Sequence, residues 1–446
     1  MPVVGVARAA VCGALTCFCL AALSAQGNIP AQYLSHAQTA PVFAALGAPL
    51  PDAAEWPRWI AAADAETRAR VAAGDELSIV NLLMFGTSFT REPRLTSRQL
   101  DGHNIEAALS RRLDDFERAL AKPDANLRLQ FARGLLQPGV PVRPRLLSMI
   151  DRALQDAAVH AKLTEAAHAL ADPSLEFAER SRLYRGRGLA SDTSVRVNFA
   201  IEQALRGLTP VLVRGSDPKR AVRRVAIVGP GLDVVDKEEG HDFYPPQTIQ
   251  PFALIDSLAR LGLADAATLQ VTTLDVSARV NDHIAEMGRR AGAQYVMYIS
   301  LDGTVAWTPE LLQYFGAFGD AIGAPVPVTV PPGIGPVRLR ALSVRPLVVQ
   351  RIAARDINIT AQVLALNDDE RFDLIVGTNV FLYYDRLQQA LAMTSVARML
   401  RPGGLLLSNN ALVEAPSTGM HSIGYSKTLY SNRDEDGDLI ISYQKK

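Results

Sequence analysis

Three clusters in the second half of the chain carry residue types that bind and position a small polar ligand. The first is Val225-Ala226-Ile227-Val228-Gly229-Pro230-Gly231-Leu232-Asp233. An apolar run that reads as a buried strand ends in Gly-x-Gly, where the backbone can come close to a ligand that a Cβ would repel. Gly229, Pro230, Gly231 and Asp233 are the binding candidates there. The second cluster is Leu269-Gln270-Val271-Thr272-Thr273-Leu274-Asp275. A carboxylate at a strand tip has two accepting oxygens and so can hold both hydroxyls of a ribose. Asp275, with Val276 beside it, is the candidate for that role; capping the helix that starts at Ser277 is the other role open to Asp275. The third cluster is Arg371-Phe372-Asp373-Leu374-Ile375-Val376-Gly377-Thr378-Asn379-Val380-Phe381-Leu382-Tyr383-Tyr384-Asp385. Thr378, Asn379 and Tyr383 follow a strand that opens into the same region. Asn379 either holds a substrate through its amide or closes the turn, and one of Tyr383 and Tyr384 faces the site while the other faces the core.

The elements that must position these groups follow from patterning. Short apolar runs at 225–228, 269–274, 372–377 and 405–408 alternate with helical stretches, which implies a mostly parallel, doubly wound sheet with helices on both faces. The runs at 423–430 and 439–444 flank a polar turn and read as an antiparallel hairpin closing that sheet. Ahead of it, amphipathic stretches at 53–73, 76–85, 104–121, 145–171 and 195–208 predict an all-α domain. Asp172-Pro173 marks the start of a further helix at 174–184. The expected domains are a helical one over 52–208 and a sheet domain over 209–446, the latter with insertions at 234–248 and about 285–350.

The order strand, helix, then Arg401-Pro402-Gly403-Gly404 into Leu405-Leu406-Leu407-Ser408 resembles the class I S-adenosylmethionine-dependent methyltransferases. The antiparallel final strand fits the same resemblance, which covers the chain from about 222 to its end and implies a seven-stranded sheet. Within that superfamily the run from Asn379 to Asp385 is similar to the strand-four signature of the chemotaxis-receptor glutamate methyltransferases, which also carry a helical domain ahead of the catalytic one. The resemblance implies S-adenosylmethionine as cofactor, held by Gly229, Pro230, Gly231, Asp233, Asp275, Val276, Thr378 and Asn379. Asn379 and Tyr383 become the catalytic candidates. The chain departs from the pattern in four places. Leu232-Asp233 stands where a third glycine is usual, and Ile227 where strand one usually has an acid. The interval from Gly229 to Asp275 is about twice the usual ~20 residues. Val363-Leu364-Ala365-Leu366 occupies the segment after strand three where many relatives hold the adenine amine with an acid.

Composition is that of an ordinary globular chain: 446 residues, 48% hydrophobic, 21% charged, formal net charge +0. That balance points away from nucleic acid and anionic membranes as partners. Seven histidines lie scattered, without metal-ligand spacing, so no metal site is expected. Arg8 and the apolar run after it predict a secretory signal peptide over 1–25, then a linker over 26–51. All three cysteines lie inside that leader, so the mature chain has none. A secreted or periplasmic protein without membrane insertion is expected, the alternative being an anchor formed by the uncleaved segment.

The leading functional reading is methyl transfer to an oxygen or nitrogen of an unidentified acceptor outside the cytoplasm. Two others are carried: a catalytically inactive binding protein on the same fold, and a nicotinamide-dependent oxidoreductase. His241 and Asp242 in the first insertion either supply a general base or, more simply, belong to a solvated loop. The arginines between Glu179 and Gly188 either grip an anionic group or end a solvated helix.

Overall fold

The computed structural model describes residues 29–95, 105–136, 141–168, 188–189, 194–213, 221–235, 241–290, 294–331, 334–433 and 436–446. The expected leader, the 174–184 helix and the arginine run up to Arg187 lie outside these residues.

The centre of the protein is one mixed sheet of seven strands. Five are parallel: β2 (Arg224–Val228), β3 (Gln270–Asp275), β7 (Ile352–Asp356), β9 (Phe372–Gly377) and β10 (Leu400–Ser408). Two more, β11 (Met420–Leu429) and β12 (Gly437–Lys445), form the expected hairpin, and β12 lies antiparallel against β10. The order across the sheet is β7-β3-β2-β9-β10-β12-β11. In chain order the parallel part reads 3-2-1-4-5, the doubly wound arrangement, with its switch point between β2 and β9. β2 is the central strand, and Val225, Ala226, Ile227 and Val228 are all buried, as an unbroken apolar run should be. The Pro402-Gly403-Gly404 turn falls inside β10 as an irregularity of its pairing with β9, and Gly403 there has a positive φ of 76°.

Asp373, at the foot of β9, ties the switch-point strands together. Its Oδ2 accepts the backbone N–H groups of Arg223 at 2.6 Å and Arg224 at 2.9 Å, while Arg401 pairs with its other oxygen. The carboxylate is buried. Its removal leaves two backbone donors and a guanidinium without their acceptor, so Asp373→Ala is expected to cost about 2–4 kcal/mol. Urea unfolding reads the loss directly; an unchanged midpoint would refute it.

Helices cover both faces. On one side lie α6 (Val195–Leu212), α7 (Gln250–Arg260) and α8 (Ala278–Arg289), which bury Phe199, Leu205, Phe252, Ile255 and Ile284. The second insertion joins this core as an antiparallel sheet of β4 (Tyr295–Asp302), β5 (Gly323–Val326) and β6 (Val337–Val344), with helix α9 (Pro309–Ala317). A short helix, α10 (Pro346–Val349), leads from there into β7. On the other face α11 (Arg386–Met399) packs against α1 (His36–Leu46). Asp385 caps α11 by accepting the Gln388 N–H, and Gln388 returns the bond.

The remaining helices, α2 (Trp56–Phe85), α3 (Ile105–Ala121), α4 (Leu127–Leu135) and α5 (Val142–His168), share a core built from Ile79, Leu82, Phe116, Leu129 and Leu146. The structure departs from expectation in three places. The stretches at 53–73 and 76–85 are one continuous helix through Gly74. Residues 29–50 are no linker: β1 (Ala31–Tyr33) pairs with β8 (Gln362–Leu364), and α1 buries Val42 and Phe43. The α6 helix packs with the sheet rather than with the helices before it, because Phe199, Ile201 and Leu205 face α7 and the hairpin.

Candidate functional site

The C-terminal ends of β2, β3 and β9, with the residues just after β7, open into one cleft at the switch point, about 620 Å³ counted out into open solvent. This is where doubly wound sheets bind ligands, since the loops at a switch point diverge and leave a crevice. After β2, Gly229 and Gly231 line the cleft with φ of 64° and 75°, backbone that L side chains rarely adopt. The Gly229 N–H donates to the Leu274 carbonyl at 2.9 Å, and a Cβ at Gly229 would sit 3.3 Å from Val380. The loop is thereby pressed against both neighbouring strand ends.

Asp275 ends β3 at the cleft wall. Its Oδ1 accepts the Ser277 N–H at 2.8 Å, and Ser277 in turn caps α8 by accepting the Val280 N–H. One oxygen of Asp275 therefore braces the turn, the helix cap itself being Ser277, and the carboxylate lines the cleft. Burial pushes its pKa up to about 6, Asp356 adds to the rise, and the Ser277 N–H and Arg279 oppose it. Val276 lines the cleft beside it.

On the β9 side, Thr378 is buried and its hydroxyl accepts the Gln250 amide at 2.8 Å. Asn379 has a positive φ of 58°, which for a non-glycine residue is costly and frequent at ligand sites. Asn409, at the end of β10, holds it there: the Asn379 N–H donates to the Asn409 side-chain oxygen at 2.8 Å, and the Asn409 amide donates back to Asn379 Oδ1 at 2.6 Å. Asn379 thus closes the turn with its carbonyl, while its amino group has no partner among the described residues. Tyr383 and Tyr384 both line the cleft, Tyr383 half-buried and Tyr384 buried. Burial raises the Tyr384 hydroxyl pKa well above the usual range, so it stays a neutral donor.

No family model matches the chain, and no curated protein matches it. Several methyltransferases are among the similar solved structures. One is the N-methyltransferase NodS from Bradyrhizobium japonicum WM9 in complex with S-adenosyl-L-homocysteine, with 11% identity over 60% of this chain and 98% of that one and a TM-score of 0.27. Another is the glycopeptide N-methyltransferase MtfA complexed with S-adenosyl-L-methionine, with 10% identity over 56% and 94% and a TM-score of 0.29. A third is magnesium protoporphyrin IX methyltransferase ChlM from Synechocystis PCC 6803, with 11% identity over 60% and 90% and a TM-score of 0.26. What the cleft can hold is read from its own residues.

Two expected binding residues lie elsewhere. Asp233 is buried off the cleft, its N–H bonded to the Gln247 carbonyl at 2.8 Å. Pro230 does not line the cleft either; its carbonyl accepts the Thr248 hydroxyl at 3.4 Å. The reason is the insertion after this loop, which folds back and pairs with it at Asp233 and Gln247. His241 and Asp242, in the same insertion, are neither solvated nor in the cleft. Both are buried, and Asp242 accepts the backbone N–H groups of Thr87 at 2.8 Å and Ser88 at 3.0 Å from the segment after α2. Burial, with Arg94 adding to it, lowers the His241 pKa to about 4, so the imidazole is neutral at pH 7.

The structure also supplies an acid that the sequence reading missed. The third parallel strand is β7, earlier in the chain than a strand leading straight into Val363–Leu366, and it ends at Asp356, immediately before the cleft residue Ile357. Arg68 of α2 donates to Asp356 Oδ1 at 2.6 Å, and also to Asp64 at 2.9 Å and Gln362 at 3.2 Å. Asp64 in turn accepts from Asn358 and Tyr33. This network lays α2 across the ends of β3 and β7, where Val71 reaches the cleft, joined by Leu189. Among the described residues no group of three or more His, Cys, Asp or Glu is placed to hold a metal ion, and no helix is long and apolar enough to cross a membrane.

Proposed function

We propose that the cleft binds S-adenosylmethionine and that the protein transfers its methyl group to an oxygen or nitrogen of an acceptor still to be identified. The observation that carries this is a juxtaposition: the positive-φ glycines after β2, the carboxylate of Asp275 and the strained Asn379 all line one switch-point cleft in a sheet whose seventh strand is antiparallel. The donor set suits the cofactor. Asp275 offers acceptor capacity for a ribose diol. Val276, Ile357 and Ile359 give apolar walls for an adenine, and Asp356, paired with Arg68, lies just outside that lining. The faces of Tyr383 and Tyr384 favour a cation.

S-adenosylmethionine supplies an electrophilic methyl group on a positively charged sulfur; the protein's part is to hold and orient. The Gly229–Gly231 backbone permits close approach, while Val71 and Leu189 add apolar lining. The lone amino group of Asn379 and the hydroxyl of Tyr383 are the groups that can orient an acceptor, the geometry that accelerates a direct displacement. Action outside the cytoplasm belongs to the same proposal and rests on residues 1–25 alone.

Calorimetric titration of S-adenosylmethionine tests this, and pH provides a second axis. Asp275 accepts two hydroxyls only as a carboxylate. With its pKa near 6, affinity is expected to be level from pH 7 to 8 and about tenfold weaker at pH 5. Failure of the folded protein to bind would leave the alternative of an inactive binding fold, to which the displaced Asp233 and the Asn409-bound Asn379 would then point.

A further inference from the structure

A second crevice, of about 340 Å³ with its mouth included, lies on the sheet face that carries the β1–β8 pair, away from the cleft. Arg224 opens β2 opposite Gln270 of β3, and Arg355 of β7 stands opposite Leu274. Alternation along β3 puts the side chains of 270, 272 and 274 on one face, so Arg224, Gln270, Thr272 and Arg355 converge on the crevice from three adjacent strands.

What distinguishes these arginines is their lack of acids. Among the described residues the Arg224 guanidinium makes no hydrogen bond or ion pair, and that of Arg355 donates only to the Ala354 carbonyl at 2.8 Å. One carboxylate, Glu370, lines the crevice, and its Oε2 is taken by the Asn367 N–H at 2.8 Å. Burial lowers the Arg355 pKa with no acid opposing it. The Gln270 side-chain oxygen is buried without a partner, and half a turn of the amide would present its N–H₂ instead. Two guanidiniums with no acid partner, beside an amide, are an anion-binding set, since a guanidinium's fork of N–H groups matches a carboxylate or phosphate. The rest of the lining is apolar: Ile29, Leu364, Leu366 and Phe372.

We propose that this crevice is a second ligand site, for a small carboxylate bearing a short apolar tail. The arginines take the head and the apolar wall takes the tail. The test uses the full chain with hexanoate and, in a separate arm, inorganic phosphate, followed by ligand-observed NMR titration of wild type, Arg355→Gln and Arg224→Gln. Saturable hexanoate binding, weakened at least about tenfold in each variant, is the expected result. Phosphate is expected to bind more weakly than hexanoate, because it cannot use the apolar wall. Affinity for hexanoate unchanged in both folded variants would overturn the site, as would no saturable binding of either probe by folded wild type. Phosphate binding as tightly as hexanoate would overturn the assignment of a tailed carboxylate. The S-adenosylmethionine titration is expected to be the same in all three proteins, which separates this site from the cleft.

Discussion

Asp275→Ala is expected to weaken S-adenosylmethionine binding by about 10²–10³-fold, measured by calorimetric titration at pH 7.5. The size follows from the chemistry of a ribose diol: each hydroxyl donates to a charged acceptor, and such bonds contribute about 1.5–3 kcal/mol apiece. The lower part of the range is appropriate, because Asp275 already spends one oxygen partly on the Ser277 N–H. Asp275→Asn keeps one accepting oxygen and is expected to lose less, about 10–30-fold. Stability should move little or even rise in the alanine variant. A carboxyl whose pKa is raised by burial is penalised when charged, and that penalty disappears with the group. The folded-state pKa of about 6 lies above the ordinary carboxylate value, so the penalty is present at neutral pH and fades as pH falls through that range. Loss of binding with retained stability would mark Asp275 as a ligand-holding residue. Wild-type affinity in the alanine variant would remove it from the site and with it the main support for the cofactor.

Which parts of this arrangement the sequence announced, and which it hid, has a physical pattern. Strands at the centre of the sheet were legible because burial on both faces demands unbroken apolar runs, as in Val225–Val228 and the wholly buried β9. The strand that escaped, β7, is an edge strand reading Ile-Ala-Ala-Arg-Asp; with one side free it needs no β-branched run. Asp356 was hidden with it, and the only signal was an acid closing a short segment between a turn and Ile357. Asp233 was misplaced for a different reason. Local pattern located the glycine loop, but the insertion that pulls Asp233 into a bridge with Gln247 acts through tertiary pairing that no local window reveals. Gly229, Gly231, Asp275, Val276, Thr378, Asn379 and Tyr383 do reach the cleft, because each sits at the C-terminal end of a central strand or in the loop just after it, where topology converges. Residues 29–50 carried no strong apolar run, so the pairing of Ala31–Tyr33 with β8 left no trace in composition.

The first insertion, which read as a solvated loop, instead joins the helices to the sheet, and Asp242→Ala is expected to destabilise the protein by about 3–5 kcal/mol. Asp242 lies buried between the two parts of the chain and accepts three groups from the end of α2: the Thr87 N–H at 2.8 Å, the Thr87 hydroxyl at 2.7 Å and the Ser88 N–H at 3.0 Å. Two buried guanidiniums depend on its charge. Arg112 is pushed down to about 10 by burial, with Asp242 the largest opposing influence. Arg128 is lowered by burial too, again with Asp242 foremost in opposition. Neither arginine is idle without it, since Arg112 donates to the Leu83 carbonyl at 2.8 Å and Arg128 to that of Val234. Those carbonyls satisfy hydrogen bonds, and Glu92 and Asp115 near Arg112 and Asp233 near Arg128 still act on the charges. The foremost compensating acid is gone, however, and an under-compensated buried charge is costly. Asp242→Asn preserves the shape and one acceptor while removing the charge, so its cost measures the electrostatic share and is expected to be at least half of the total. Chemical unfolding supplies both numbers, and limited proteolysis adds where the damage falls. Cleavage is expected to appear first around Thr87–Ser88, the segment that Asp242 holds. A midpoint matching wild type in the alanine variant would mean that other contacts, such as Arg68–Asp356, Arg279–Asp75 and Arg128–Val234, suffice to hold the helices to the sheet.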